Sequence, residues 1–254
     1  MAKRTAFLTL TRREIMRFLG IWKQTILPTW INTALYLAIF GGFIGRVVPN
    51  ISGFSYLEFI IPGVLMMGVI NSAYANNSSS IFMMRWLNYI ESMLVSPLSY
   101  IEMVGAFIVA GIVRGLMVGV SIYLISLLFY SGHVFNPLLA LLVIVMISFV
   151  FGCVGILIGL WSDTWDQMNI WSTFLITPLI FLGGVFHSVS NLSGAIATIT
   201  KMNPIFYMVD LFRYSMLGFS EANLLLDFAV VLAIGAAVFS ISVFLFMKGW
   251  KIRK

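Results

Sequence analysis

Apolar residues run in long blocks along this chain, and polar residues collect in short gaps between them. Six blocks reach about the length a helix needs to cross a bilayer, roughly 20 residues. They lie at residues 26–47, 58–82, 101–130, 136–161, 167–187 and 224–247. The ~10-residue alternating segments of a membrane β-barrel are a different pattern. The blocks therefore predict an all-α integral membrane protein with six transmembrane helices. The first 25 residues stand apart. TAFLTLTRREIMRFLGIWK puts Phe7, Ile15, Phe18, Leu19 and Trp22 in one broad helical arc, with Arg13 and Arg17 on the other side. This predicts a basic amphipathic helix at the membrane surface. A signal peptide would carry its apolar core directly after the first basic residues.

Two of the gaps are longer than a connection needs. LNYIESMLVSPLSYIE, residues 87–102, spaces Leu87, Ile90 and Leu94 on one helical face, with Asn88, Glu91 and Ser92 on the opposite arc. Pro97 ends this predicted short helix, and Ser99 is placed to cap the next span. The apolar face can rest on the span ends while the polar face meets a soluble partner or water. The second gap, residues 182–218, is too polar at its middle to span and too apolar for a loop. Phe206, Tyr207, Phe212 and Tyr214 predict short helices dipping into the outer leaflet, which is tolerated only against protein or a cavity. Asn203 and Pro204 break the segment. Pro204 suits the first position of a new helix, and Asp210 and Arg213 are spaced to pair.

Composition sharpens this reading. The chain has 254 residues, of which 61% are hydrophobic and 9% charged, against about 25% charged in a soluble domain. Its net charge of +6 points to the positive-inside rule rather than to nucleic acid. Lys3, Arg4, Arg12, Arg13, Arg17, Lys23 and Arg85 join Lys248, Lys251, Arg253 and Lys254 on one side, against Arg46, Lys201 and Arg213 on the other. Both termini and the 87–102 gap are therefore expected in the cytoplasm, with His133 and Lys201 external. Trp22, Trp86, Trp161, Trp165 and Trp250 fall at the same cytoplasmic boundaries, where indole rings favour the interface. No repeat or linker divides the chain. Residues 1–254 read as one membrane domain: an amphipathic helix over 1–25, a bundle over 26–247 and a basic tail over 248–254.

Little chemistry resides in the chain. It has no GxxxxGK[ST] nucleotide loop and no GxSxG elbow. His133 and His187 are far apart in sequence, too few for a metal site. Cys153 reads as a small apolar side chain. The expectation is a transport subunit without enzymatic activity or a cofactor of its own. Polar groups within spans mark the rest of the candidate site. Arg114 lies mid-span beside Gly111, Gly115 and Gly119, which let another helix approach closely. It lies ~18 Å along the helix from Glu102, too far to pair. Arg114 is either a substrate-path charge or a buried arginine bonded to carbonyls. NSAYANNSSS, residues 71–80, puts Asn71, Tyr74 and Ser78 on one face. They either line a polar path or hold helices together.

These features together carry a resemblance. LNYIESMLVSPLS after the second span, the glycine-rich third span with its arginine, and NPIFYMVDLFRYSMLG before the last span resemble the permease subunits of ABC-2 type exporters. The spacings Glu91 to Pro97 and Pro204 to Arg213 are part of the likeness, which runs over essentially the whole chain. Leu192-Ser193-Gly194 departs from it, since the family often has proline there. The resemblance implies that the short cytoplasmic helix is a coupling helix, with Asn88, Glu91, Ser92 and Pro97 docking an ATPase. It implies two permease copies working with two ATPase subunits, which bind ATP and magnesium, in a bacterial inner membrane. The path then runs between the copies, past Asn71, Tyr74, Ser78 and Arg114. Asn203, Pro204, Tyr207 and Arg213 belong to an external lid. An ion-coupled secondary transporter and a non-transporting scaffold are the alternatives from other classes. A secondary transporter would want an intramembrane carboxylate pair or an inverted repeat, whereas Glu58, Glu102, Asp163, Asp166 and Asp227 all fall near span ends. Glycans, lipid-linked sugars and amphipathic drugs stay open as substrates.

Overall fold

The computed structural model describes the chain except Met1, Ile44, Arg46, Val48, Pro49, Ser131, His133 and residues 252–254, and except the side chains of Ala2, Lys3, Ser92 and Asn191. The expected external positions of Arg46 and His133, and the end of the basic tail, thus lie outside the described residues. The described residues are mostly helical and carry no β-strand beyond an isolated bridge between Ile51 and Phe54. In order the helices are α1 (Ala2–Gly20), α2 (Trp22–Thr25), α3 (Leu27–Tyr36), α4 (Tyr56–Trp86), α5 (Ile90–Leu94), α6 (Tyr100–Ser126), α7 (Pro137–Trp161), α8 (Trp165–Trp171), α9 (Thr177–Leu182), α10 (Gly194–Met202), α11 (Pro204–Leu217) and α12 (Leu224–Lys248).

Four of these, α4, α6, α7 and α12, are long and apolar enough to cross a membrane. Their starts are written in local chemistry. Ser55 and Glu58 cap the first turn of α4 reciprocally, and Ser99 and Glu102 do the same for α6. Asn136 caps α7 ahead of Pro137, and Asn223 caps α12.

The two other apolar blocks are built differently. The first continues from α3 through a wide turn at Leu37–Gly41 and its regular helix stops by Gly42, short of the expected residue 47. The fifth runs through α8, a wide turn at Ser172–Ile176 and α9. It stops at Leu182, before Gly183 and Gly184, rather than at 187. Pro178 explains the wide turn: it has no N–H to give and its ring crowds the preceding carbonyls. The chain answers with a longer-range bond, from the Thr177 N–H to the Ser172 carbonyl five residues back.

α4 is the axis of the bundle, buried along most of its length, with α6 and α7 packed on it. In hydrocarbon, helices are held by close packing and interhelical hydrogen bonds rather than by water exclusion. Glycine sets that closeness. A Cβ at Gly115 of α6 would collide with Ser148 of α7, and one at Gly155 of α7 would lie 2.5 Å from the Tyr74 carbonyl oxygen of α4. The expected Gly111, Gly115 and Gly119 stripe thus faces protein. α11 is no surface helix: ten of its fourteen residues are buried, and it packs on α12, α7 and α4. The bundle has a basic end, where α1, α5, the last turn of α4 and the ends of α7 and α12 meet, and a far end formed by residues 183–223.

Candidate functional site

The basic end is tied together by Arg85 in the last turn of α4. Its guanidinium donates to the Ser162 carbonyl at 2.7 Å, the Gly159 carbonyl at 3.2 Å and the Lys251 carbonyl at 3.0 Å. It so satisfies carbonyls that the end of α7 leaves open. It also meets Asp163 at 3.1 Å. The Lys251 ammonium reaches Asp163 at 2.6 Å and the Trp161 carbonyl at 2.7 Å. The Lys251 and Arg85 hydrogen bonds, in that order, hold the Asp163 carboxyl below its usual range. Between this knot and the α4–α5 connection lies a cleft of about 310 Å³, lined by Phe82, Arg85, Trp86, Asn88, Glu91 and Asp163.

The predicted helix over 87–96 is shorter than expected, Ile90–Leu94. Leu87 closes α4 and is exposed, so it does not join the apolar face. Met93 takes its place beside Ile90, both buried. The reason is Asn88, whose φ of +57° turns the chain out of α4, a conformation asparagine tolerates better than most residues. Asn88 and Glu91 point outward as expected, and Pro97 is exposed two residues past the cap at Val95. The Ser92 side chain lies outside the described atoms.

At mid-bundle several polar residues of α4 are partnered, whereas the Ser72 and Ser78 hydroxyls have no hydrogen-bond partner among the described residues. Tyr74 donates to the Met168 carbonyl at 2.9 Å, and half-buried Asn71 donates to the Met67 carbonyl of its own helix at 2.9 Å. Ser78 is buried against the glycine face of α7. Arg114 is buried and reaches the Thr25 carbonyl at 3.3 Å, the carbonyl-bonded arrangement. The partner of the Asn76–Ser80 band is α1. Glu14, fully buried, accepts from Ser80 Oγ at 2.5 Å and from Arg17 Nε at 3.0 Å. Arg17 also donates to the Asn76 carbonyl at 2.8 Å, and Asn77 passes the chain on to the Gly152 carbonyl at 3.0 Å. This corrects the amphipathic reading of α1. Arg17 belongs to the inward face with Leu10, Glu14 and Phe18, while Leu8 and Met16 are exposed. Glu14 was missed. The signal was an acid three residues before an arginine, on the helix face that also carries Phe18.

At the far end the expected lid residues come together. Pro204 opens α11, and Asn203 caps it while donating to the Leu179 carbonyl at 2.6 Å. Tyr207 donates to the Lys201 carbonyl at 2.7 Å. Arg213 is fully buried, lies 4.0 Å over the Phe59 ring, donates to the Gly184 carbonyl at 2.6 Å and stands 3.9 Å from Asp210. The anticipated Asp210–Arg213 pair is thus present. Burial lowers the guanidinium's affinity for its proton, with the Glu221 and Asp210 charges opposing that. Cys153 is buried and free. No three His, Cys, Asp or Glu side chains converge as a metal site among the described residues.

Four helices long and apolar enough to cross a membrane, packed around a hydrogen-bonded polar axis, place the chain among multi-pass membrane proteins. The family model of the ABC-2 type transporter matches residues 5–217, and the chain belongs to that family. It is 37% identical over 241 residues to the inner membrane transport permease YadH of Escherichia coli strain K12, across 95% of this chain and 94% of that one. It is 25% identical to Nodulation protein J of Rhizobium leguminosarum bv. viciae, across 89% of this chain and 87% of the relative. A Rhizobium meliloti Nodulation protein J is 22% identical, across 82% and 79%. The chain is therefore the transmembrane permease subunit of an ABC transporter, a multi-pass inner-membrane protein. Membership implies ABC ATPase partners in general terms and sets aside the secondary-transporter and scaffold readings.

Proposed function

We propose that the chain is the membrane half of an ATP-driven exporter made of two permease copies and two ATPase subunits. ATP and magnesium sit in the ATPases, and this chain contributes movement and a path. As a single domain it crosses the membrane six times, the interrupted rods at 27–42 and 165–182 counting as spans. Both termini face the cytoplasm, because lysine and arginine collect there. α1 lies along that interface, and the external helices before α12 re-enter the outer leaflet.

The observation that carries the reading is the cleft at the basic end. Exposed Asn88, in the turn before α5, and exposed Glu91, on α5, stand at its rim, and Ile90 and Met93 anchor the short helix. A polar face on an apolar anchor is what docking a soluble subunit needs. Asn88, Glu91, Ser92 and Pro97 form the docking segment. Asn71, half-buried, is the member of the path set nearest a surface, with Tyr74, Ser78 and Arg114 buried behind it. Asn203, Pro204, Tyr207 and Arg213 hold the external lid. Glycans, lipid-linked sugars and drugs stay open as cargo.

Charge reversal tests the docking role. Glu91→Arg should weaken co-purification of the ATPase and uncouple hydrolysis from transport while the permease itself assembles normally. Intact co-purification together with coupled transport would remove Glu91 from the interface.

A further inference from the structure

Among the described residues, Arg114 is a buried cation without an acid. It is 5% exposed, and its Nε has no partner. Its one hydrogen bond, to the Thr25 carbonyl, is long at 3.3 Å. No described carboxylate forms an ion pair with it. Glu14 is taken by Arg17 and Ser80. A guanidinium has five N–H donors and keeps its charge, and a charge buried alone is strongly disfavoured.

A second orphan belongs to the same layer. Gly68 of α4 sits where α3 and α6 meet it: a Cβ there would lie 3.5 Å from the Thr29 Cγ2 and 3.7 Å from the Val118 Cγ1. One turn nearer the basic end, the three strands of chain carry Ser72, Thr25 and Arg114. The Thr25 contact of Arg114 agrees with that register, as does the lean of a helical side chain toward its own N-terminus. Ser72 is buried, and its hydroxyl has no partner among the described residues either. The approach to this layer is polar. Thr25 and Asn71 are half-buried, Trp22 and Lys23 are exposed, and the Lys23 ammonium stands 6.0 Å from the Trp22 ring.

We infer that Arg114 and Ser72 bind the phosphate of an anionic phospholipid, held between the α2–α3 elbow, α4 and α6. A phosphate accepts two parallel bonds from a guanidinium and one more from a hydroxyl, and it supplies the missing negative charge. The surroundings favour a lipid over a free ion. Indole and ammonium groups at the elbow are the residues that an interface gathers, and basic pockets between membrane helices on the cytoplasmic side take lipid headgroups. Leu27, Ile31 and Leu35 form an exposed apolar stripe on α3 that starts two residues after Thr25 and suits acyl chains. The bound lipid fastens the elbow to α6. The inference gives Arg114 of the proposed path set a ligand, and it rests on the proposed orientation for the leaflet concerned, the inner one.

The test is native mass spectrometry of the assembled permease complex in detergent, titrated with phosphatidylglycerol or phosphatidylcholine. It reads binding alone, so its outcome is separate from whether the chain exports and from which end faces the cytoplasm. The wild type should take its first phosphatidylglycerol about tenfold more tightly than phosphatidylcholine, and Arg114→Gln should remove that preference. Equal affinity for the two lipids in the wild type overturns the inference, whatever the variant does. Ser72→Ala removes only a hydroxyl without a protein partner, so the complex should assemble at wild-type yield while phosphatidylglycerol binds about threefold more weakly. Unchanged phosphatidylglycerol affinity in either variant overturns the inference. Inorganic phosphate should not displace the lipid; displacement at matched concentration would assign the site to a free anion and overturn the lipid.

Discussion

At the basic end Arg85 meets Asp163 at 3.1 Å, with the aspartate side chain 57% exposed. At the far end Arg213 stands 3.9 Å from Asp210, and neither side chain reaches the surface. The shorter pair is the one that stability depends on less. Water screens Asp163, and exposed ion pairs contribute about 0–1 kcal/mol. Arg213 and Asp210 have given up their water, so each relies on the other and on its fixed carbonyl or N–H partners. Environment, rather than separation, sets the strength. The two ends are built for different tasks: a wet, rearrangeable knot beside the docking cleft, and a dry joint under the far-end helices.

The most severe challenge to this comparison is Arg213→Met. It keeps bulk and apolar contact with Phe59 but strands Asp210, and should cost about 3–5 kcal/mol. Thermal unfolding and the yield of assembled complex would report it. Wild-type values for both would show that the far-end pair is not structural.

A third pair lies between these extremes. Glu14→Ala leaves Ser80 and Arg17 without their buried acceptor, at an expected cost of about 1–3 kcal/mol. The loss should be local, so hydrogen exchange should rise in α1 before the rest of the bundle loosens. Unchanged exchange in α1 would mean that packing by Leu10 and Phe18 alone holds the helix.

The smallest effect on stability is expected from Asp163→Asn, below about 1 kcal/mol after allowance for solvent screening. Lys251 and Arg85 hold this carboxyl below its ordinary range. Whatever it contributes is present above the ordinary aspartate value and fades as pH falls through the depressed one. Added salt should erase it, as for any exposed pair. A large loss of stability in Asp163→Asn at neutral pH would collapse the distinction between the two ends.

Much was legible along the chain because its causes are local. Apolar length decides which blocks become long helices. The cap at Ser99 and the helix start at Pro204 act within one turn, so neighbours suffice to read them. The Asp210–Arg213 spacing needs only helix geometry. Family membership was legible for a similar reason: it rests on short patterns at fixed spacing, from Glu91 to Pro97 and from Pro204 to Arg213.

Other features needed the fold, because their partners are distant in sequence. Nothing near Arg17 says that it turns inward to Asn76, 59 positions on. Nothing near Arg85 points to Lys251, 166 positions away. Asp227 looked like an acid at a span end, and only the fold shows it fully buried. Hydropathy thus determined that this protein is a helical membrane protein and roughly where its helices run. Tertiary packing decided which polar side chains were desolvated and whom they met, and in a low-dielectric interior that decides charge, strength and role.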